Sequence, residues 1–149
     1  MIDAVRLKLA RSVDVPILAS MNQELIRAEG GPAHLTLGEL TRRMSGFLDY
    51  GYEAHLIEVS EDLAGYALYR RDVDHVSVRQ FYVASRRRRS GVGRMAVEWL
   101  REHAWQDTRV VLQVRTGNDA ALGFWRALGF EGTAVNLEWS PPAVGSTVR

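Results

Sequence analysis

Cysteine is absent from the 149-residue chain, which removes disulfides, thiolate metal sites and a cysteine nucleophile. Lysine is almost absent too: among the 19 lysine and arginine side chains, Lys8 is the one lysine. The phosphate loop of nucleotide hydrolases ends in Gly-Lys-Ser/Thr, so that loop is excluded. No Gly-x-Ser-x-Gly elbow offers a serine nucleophile. No apolar run approaches the roughly 18 residues of a membrane span, and no charged-then-apolar leader opens the chain. The expectation is a cytoplasmic protein without a membrane partner. An excess of one charge is also missing, since the net charge is +1, and a nucleic-acid partner is not expected. His34 and His55 stand apart without a ligand-like companion, so no metal is expected. With 46% hydrophobic residues and no linker, repeat or low-complexity run, the chain reads as one domain over 1–140. A flexible tail, 141–149, follows it.

What the chain does have is concentrated near its middle. Residues 76–83, Val-Ser-Val-Arg-Gln-Phe-Tyr-Val, are rich in β-branched and aromatic side chains and read as a strand. Val92, Met95, Ala96, Trp99, Leu100 and His103 then recur at helical spacing. Between them lie Arg86 to Arg89, Ser90, Gly91, Val92 and Gly93. A strand, a glycine-broken basic turn and a helix make an anion site. The free N–H groups of the turn and helix start converge, and glycine lets a phosphate approach the backbone. A solvated charge run is the bland alternative for the arginines; the adjoining glycines favour phosphate contact at Arg88 and Arg89, and leave Arg86 and Arg87 undecided. The dinucleotide fingerprint fits poorly, because its third glycine would fall on Ala96 and several elements precede the turn.

Arg88-x-x-Gly91-x-Gly93 resembles the pyrophosphate turn of the GNAT superfamily of N-acetyltransferases. A second segment agrees: Asn118-Asp119-Ala120-Ala121, then Phe124-Trp125 and a closing Gly129-Phe130, is similar to a later motif of that family. Asn118 is a good helix N-cap, Ala121, Leu122, Phe124, Trp125 and Leu128 form an apolar face, and Gly129 is a plausible stop. The resemblance implies acetyl-coenzyme A as co-substrate. Carried over by position, it implies cofactor contacts from Phe81, Tyr82, Val83, Arg88, Arg89, Ser90, Gly91, Val92, Gly93, Arg94, Asn118 and Trp125. It also implies a small amine or peptide as acceptor, and is compatible with a homodimer.

The remaining segments supply the expected elements. Val5 to Leu9 is a strand; Asp14 caps a helix running to about Glu29, with Pro16 in its first turn and Leu18, Met21, Leu25 and Ala28 on one face. Gly30, Gly31 and Pro32 break it. Thr36 with Glu39 signals a capping box for a second helix toward Tyr50. Residues 54–59 and 63–70 read as a hairpin around Glu61-Asp62, 109–114 as a strand, and 130–139 as the closing strands. The fold class is α/β (α+β), a mixed, mostly antiparallel sheet of about six to seven strands flanked by helices, in the order β-α-α-β-β-β-α-β-α-β. The resemblance implies the same order.

Two positions depart from the family pattern. Trp125 stands where many members have a tyrosine that protonates the leaving thiolate, and an indole N–H cannot serve as a general acid. Gln80 stands at or beside a position where relatives often place a glutamate base. Tyr82 is therefore the candidate acid, with solvent as the alternative donor. Glu29 is the candidate group for binding or deprotonating an amine, with Glu24 as its neighbour and surface solvation as the bland role of both. The function expected is direct transfer of acetyl to a primary amine by an acyltransferase. A coenzyme A-binding regulatory or interaction module with little turnover is the alternative.

Overall fold

The computed structural model describes residues 4–31 and 34–144. These form β1 (Val5–Leu9), α1 (Val15–Ala28), α2 (Leu37–Asp49), β2 (Tyr52–Val59), β3 (Asp62–Arg71), β4 (Val76–Val83), α3 (Val92–His103), β5 (Val110–Leu112) and α4 (Asp119–Ala127). Two compact units result, Met1–Asn118 and Asp119–Arg149.

The first unit is built on one sheet in the order β1-β2-β3-β4-β5. Its first four strands are antiparallel, and β5 joins β4 in parallel. The two-residue turn from β2 to β3 has positive φ at Ser60 (50°) and Glu61 (73°), the twist that suits a tight hairpin. Helices α1 and α2 cover one face, where Leu18, Met21, Leu25 and Met44 bury themselves against Ala54, Leu56, Tyr66, Leu68 and Tyr82. Helix α3 covers the other, packing Val92 and Ala96 on Ile57, Val59 and Ala64. Farther along that face His55 stacks on Tyr69 at 5.8 Å and hydrogen-bonds its hydroxyl at 3.2 Å. Trp105, fully buried, meets Tyr69 edge-on at 5.7 Å.

The helix boundaries follow local chemistry. Thr36 accepts the Glu39 N–H at 3.1 Å and donates to the Glu39 carboxylate at 3.2 Å, which fixes the start of α2. Asp14 precedes α1 as expected but does not cap it. Its carboxylate accepts the Arg11 N–H at 2.9 Å and closes a short 3-10 turn instead.

In the second unit, α4 ends in a Schellman motif. The Phe130 N–H reaches the Trp125 carbonyl (3.1 Å) and the Gly129 N–H the Arg126 carbonyl (2.9 Å). Gly129 sits at φ 93°, which a side chain would resist. The Trp125 and Phe130 rings, 5.0 Å apart, supply the apolar contact that accompanies this cap.

Three expectations are corrected. The sheet has five strands among the described residues, not six to seven. Residues 109–114 yield only the three residues of β5. Residues 130–139 form no strand. Val135, Leu137 and Trp139 alternate as a strand should, yet are 85, 92 and 80% exposed. Alternation selects a face, but a strand exists only where another strand takes its hydrogen bonds, and the described part of the second unit contains none. Of the segments expected to break α1 and to fray at the end, Pro32 and residues 145–149 lie outside the described residues.

Gly65 holds β3 and β4 in register. A Cβ added there would stand 1.9 Å from the Tyr82 carbonyl oxygen, inside backbone that cannot move independently. Gly65→Ala should lower the unfolding free energy by about 2 kcal/mol or more, read by chemical denaturation. A variant as stable as the parent would show that β4 can yield.

Candidate active site at the β4 bulge

β4 carries one residue more than its partner can match. Leu68 pairs with Gln80 and Tyr69 with Val78, leaving Arg79 as the extra residue. An extra residue bends its strand and disrupts the ladder locally. On the other side of β4 the parallel pairs are Val76 with Val110, Ser77 with Val111 and Val78 with Leu112, and there they stop. β4 thus keeps its pairing to β3 up to Val83 while leaving β5 one residue before the bulge. The edge of residues 79–83 that β5 does not cover is a slot into which an extended ligand could pair.

Downstream of the slot, Ala84 leads through a 3-10 turn at Ser85–Arg87 to α3. Gly91 is the N-cap of α3 at φ 85°, where a side chain would be strained. No side chain caps the helix, so its first N–H groups are available to an anion. Gly93 lies within the first turn of the helix and needs no special φ. The four arginines divide in two. Arg86 donates to the Leu63 carbonyl at 3.0 Å, and Arg87 pairs with Asp62 at 3.3 Å, so both fasten the turn to the β2–β3 hairpin. Arg88 donates to the Val83 carbonyl at 2.9 Å, with its guanidinium 6.0 Å from the Tyr82 ring centre. Arg89 is exposed, with φ at 62°. The Ser90 hydroxyl bonds back to the Arg87 carbonyl, and Arg94 pairs with Glu98 at 3.0 Å.

The side chains of 81–83 alternate as a strand requires. Phe81 and Val83 pack on the α3 side, and Tyr82 on the side of α1 and α2, its ring 6.2 Å from Tyr66. Tyr66 donates its hydroxyl to the Gln80 side-chain oxygen at 2.7 Å, and the buried Asn22 side chain of α1 acts on the same phenol. Burial pushes the Tyr66 hydroxyl far above the usual phenol range; Asn22 opposes that rise, the Glu29 carboxylate adds to it, and Arg43 opposes it. Tyr66 is therefore a neutral donor at any physiological pH, committed to Gln80. Glu24 pairs with Arg27 at 3.1 Å on the exposed side of α1. Glu29, at the C-cap of α1, instead lines an open cavity of about 400 Å³ with Ala28, Arg115, Thr116, Gly117 and Asn118. One cavity thus holds both Glu29 and Asn118. Another, of about 310 Å³, opens over β1 and β2 between Ser12 and Asp49, on the side of the sheet away from β5.

Trp125 belongs to the second unit, where Phe124 (4.9 Å) and Phe130 (5.0 Å) meet its ring edge-on. Sequence reasoning passed over Asn22, Tyr66 and Gly65. A glycine inside a strand run is a signal of close backbone approach, and an asparagine on an apolar helix face is a signal of a buried polar partner.

The Acetyltransferase (GNAT) family model matches residues 20–130. No curated protein matches the sequence. Among solved structures, the chain is similar to a possible acetyltransferase from Clostridium difficile 630, at 19% identity and TM-score 0.75, with 93% of this chain and 98% of that one covered. It is similar also to a predicted acetyltransferase from Clostridium acetobutylicum solved with acetyl-CoA, at 16% identity and TM-score 0.73 over 92% and 96% of the two chains. An aminoglycoside N-acetyltransferase in complex with CoA gives 11% identity and TM-score 0.72 over 95% and 97%. At these identities the structures speak for the fold, and the family match, which covers most of the chain and runs through both units, decides the rest: the chain belongs to the GNAT family of acetyltransferases.

Proposed function

We propose that the protein is a cytoplasmic N-acetyltransferase that moves acetyl from acetyl-coenzyme A directly to a primary amine. The observation that carries this reading is the parting of β4 from β5 at Arg79, which leads along one strand into an uncapped helix start at Gly91. The pantetheine arm would pair along 81–83, and the pyrophosphate would sit on Arg88 to Arg94, with Asn118 against the arm. Similar structures were solved with acetyl-CoA or CoA, which supports acetyl-CoA as the co-substrate. Because the family match of 20–130 spans both units, we take 1–140 as a single catalytic domain.

In the reaction, the amine nitrogen bonds to the acetyl carbon and the carbon–sulfur bond breaks. Backbone N–H groups around Val83 would polarise the carbonyl. Glu29, facing the cavity it shares with Asn118, would take the amine proton directly or through water. Tyr82 or solvent would return a proton to the thiolate. Gln80 is engaged by Tyr66 and has no proton-accepting carboxylate, so it serves the architecture. The competing reading, a coenzyme A-binding module without turnover, draws on Gln80 and on Trp125 with its aromatic neighbours. Acetyl release measured over a panel of amines separates the two, whereas coenzyme A binding is common to both.

Gly93→Val tests the phosphate turn without backbone strain, since position 93 is helical. The variant should stay folded and bind acetyl-coenzyme A about tenfold more weakly or worse, measured by calorimetry. Unchanged affinity in a folded variant would remove the turn from the site.

Coenzyme A affinity should also fall as salt rises, because exposed cations at Arg88 and Arg89 are screened while backbone hydrogen bonds are largely spared. Arg88→Ala with Arg89→Ala should flatten that dependence. Affinity independent of salt in the parent would make the pair a solvated surface.

Trp125→Phe should keep turnover within about tenfold of the parent, since ring contact is all it removes. Tyr82→Phe should cost about 10²-fold in kcat if its hydroxyl gives the proton. A silent Tyr82→Phe assigns the donor to solvent.

A further inference from the structure

Two guanidiniums share one ring beside this site. Arg79, the extra residue of the bulge, lies 4.7 Å from the Phe47 ring centre and 5.9 Å from that of Tyr52. Arg43, one turn before Phe47 on α2, lies 5.5 Å from the same Phe47 centre. The two charges are therefore no more than about 10 Å apart. Arg70 and Arg71 on the neighbouring strand hold Asp72 at 3.0 Å and Glu53 at 2.9 Å. Arg43 and Arg79 have no carboxylate within ion-pair distance among the described residues. A guanidinium laid on an aromatic ring is held in place, and its in-plane N–H groups stay turned outward, a fork suited to a carboxylate.

The opposite charge, Glu29, lines the cavity that also holds Asn118. Gln80, the residue next to Arg79, is held by the buried Tyr66 hydroxyl at 2.7 Å, which fixes the strand that carries Arg79. Resting on the acetyltransferase reading, we propose that the acceptor is an aminocarboxylate whose amine lies toward Glu29 and whose carboxylate is taken by Arg43 and Arg79. The phosphate turn is not the source of this charge. Arg79 precedes Val83 by four residues, roughly 13 Å along an extended strand, and lies at the other end of the slot.

The test compares ω-aminocarboxylates of three to six carbons with their primary amides, which keep the amine and lose the anion. With the full chain and acetyl-coenzyme A, kcat/KM should favour the carboxylate by about tenfold or more for at least one length. Arg43→Gln with Arg79→Gln should collapse that ratio to near unity, with coenzyme A affinity in the same samples reporting that the variant is folded. Calorimetric titration of the same pairs into coenzyme A-saturated protein reads the carboxylate preference without needing turnover. Equal treatment of acid and amide by both measurements, or a preference that survives the double variant, overturns the inference. Acetyl transfer to amides and acids alike keeps the acetyltransferase reading and discards this one. Selective binding of the acid with no transfer to any amine keeps the carboxylate role of Arg43 and Arg79 and discards the acetyltransferase reading, and with it the acceptor assignment.

Discussion

β4 must satisfy two neighbours with different demands, and the extra residue at Arg79 is how it does so. Toward β3 the strand pairs along its length, absorbing the bulge between Leu68 and Tyr69. Toward β5 it cannot continue, since a bend in one strand of a parallel pair breaks the even spacing of the ladder. Much of the candidate site follows from that mismatch. The uncovered edge of 79–83 exists because pairing stops at Val78, and Arg79 and Gln80 lie against the α1–α2 side because the bulge resets the alternation. Gly65 supports the arrangement from behind, its missing Cβ letting the Tyr82 carbonyl come close.

Polar groups around the bulge are arranged in a chain and not in isolation. Tyr66 and Gln80 satisfy one another, with the Asn22 side chain acting on the same phenol, inside a face that is otherwise apolar. A half-satisfied network there would cost more than an apolar core, and a satisfied one fixes the side chains that border the slot. Charges lie outside this chain, with Glu29 at the end of α1 and Arg43 and Arg79 over Phe47. Buried hydrogen bonds set position, and the charges stay exposed at the border of the slot.

What the sequence disclosed, it disclosed through local chemistry. The turn at Gly91, the Thr36 cap of α2 and the stop at Gly129 are each set by residues within five positions of one another; Thr36 caps as expected, though Glu39 answers its hydroxyl and not its backbone N–H. What it withheld depended on partners far along the chain. β5 is short because its length is decided by where β4 bends, and nothing in residues 109–114 encodes that. The alternation of Val135, Leu137 and Trp139 looks like a strand because it is written in the same code as one, though no partner strand meets it. Arg86 to Arg89 look equivalent in sequence, whereas the β2–β3 hairpin claims the first two and leaves the others at the helix start.

The Schellman end of α4 bears on the order in which the chain can assemble. Its two hydrogen bonds and its ring pair join residues no more than five apart, so they close loops that form within roughly 100 ns and lose little entropy in doing so. The β1–β2 ladder, by contrast, joins Val5 to Val59 and Leu9 to His55 across the whole of α1 and α2. Contacts so distant in sequence come at a larger entropic cost and slow the search for the native arrangement. β1 and β5 are the two edges of the sheet among the described residues, so their amides should exchange with solvent before those of β2 to β4, while the helix stop at Gly129 re-forms after each opening without help from the sheet.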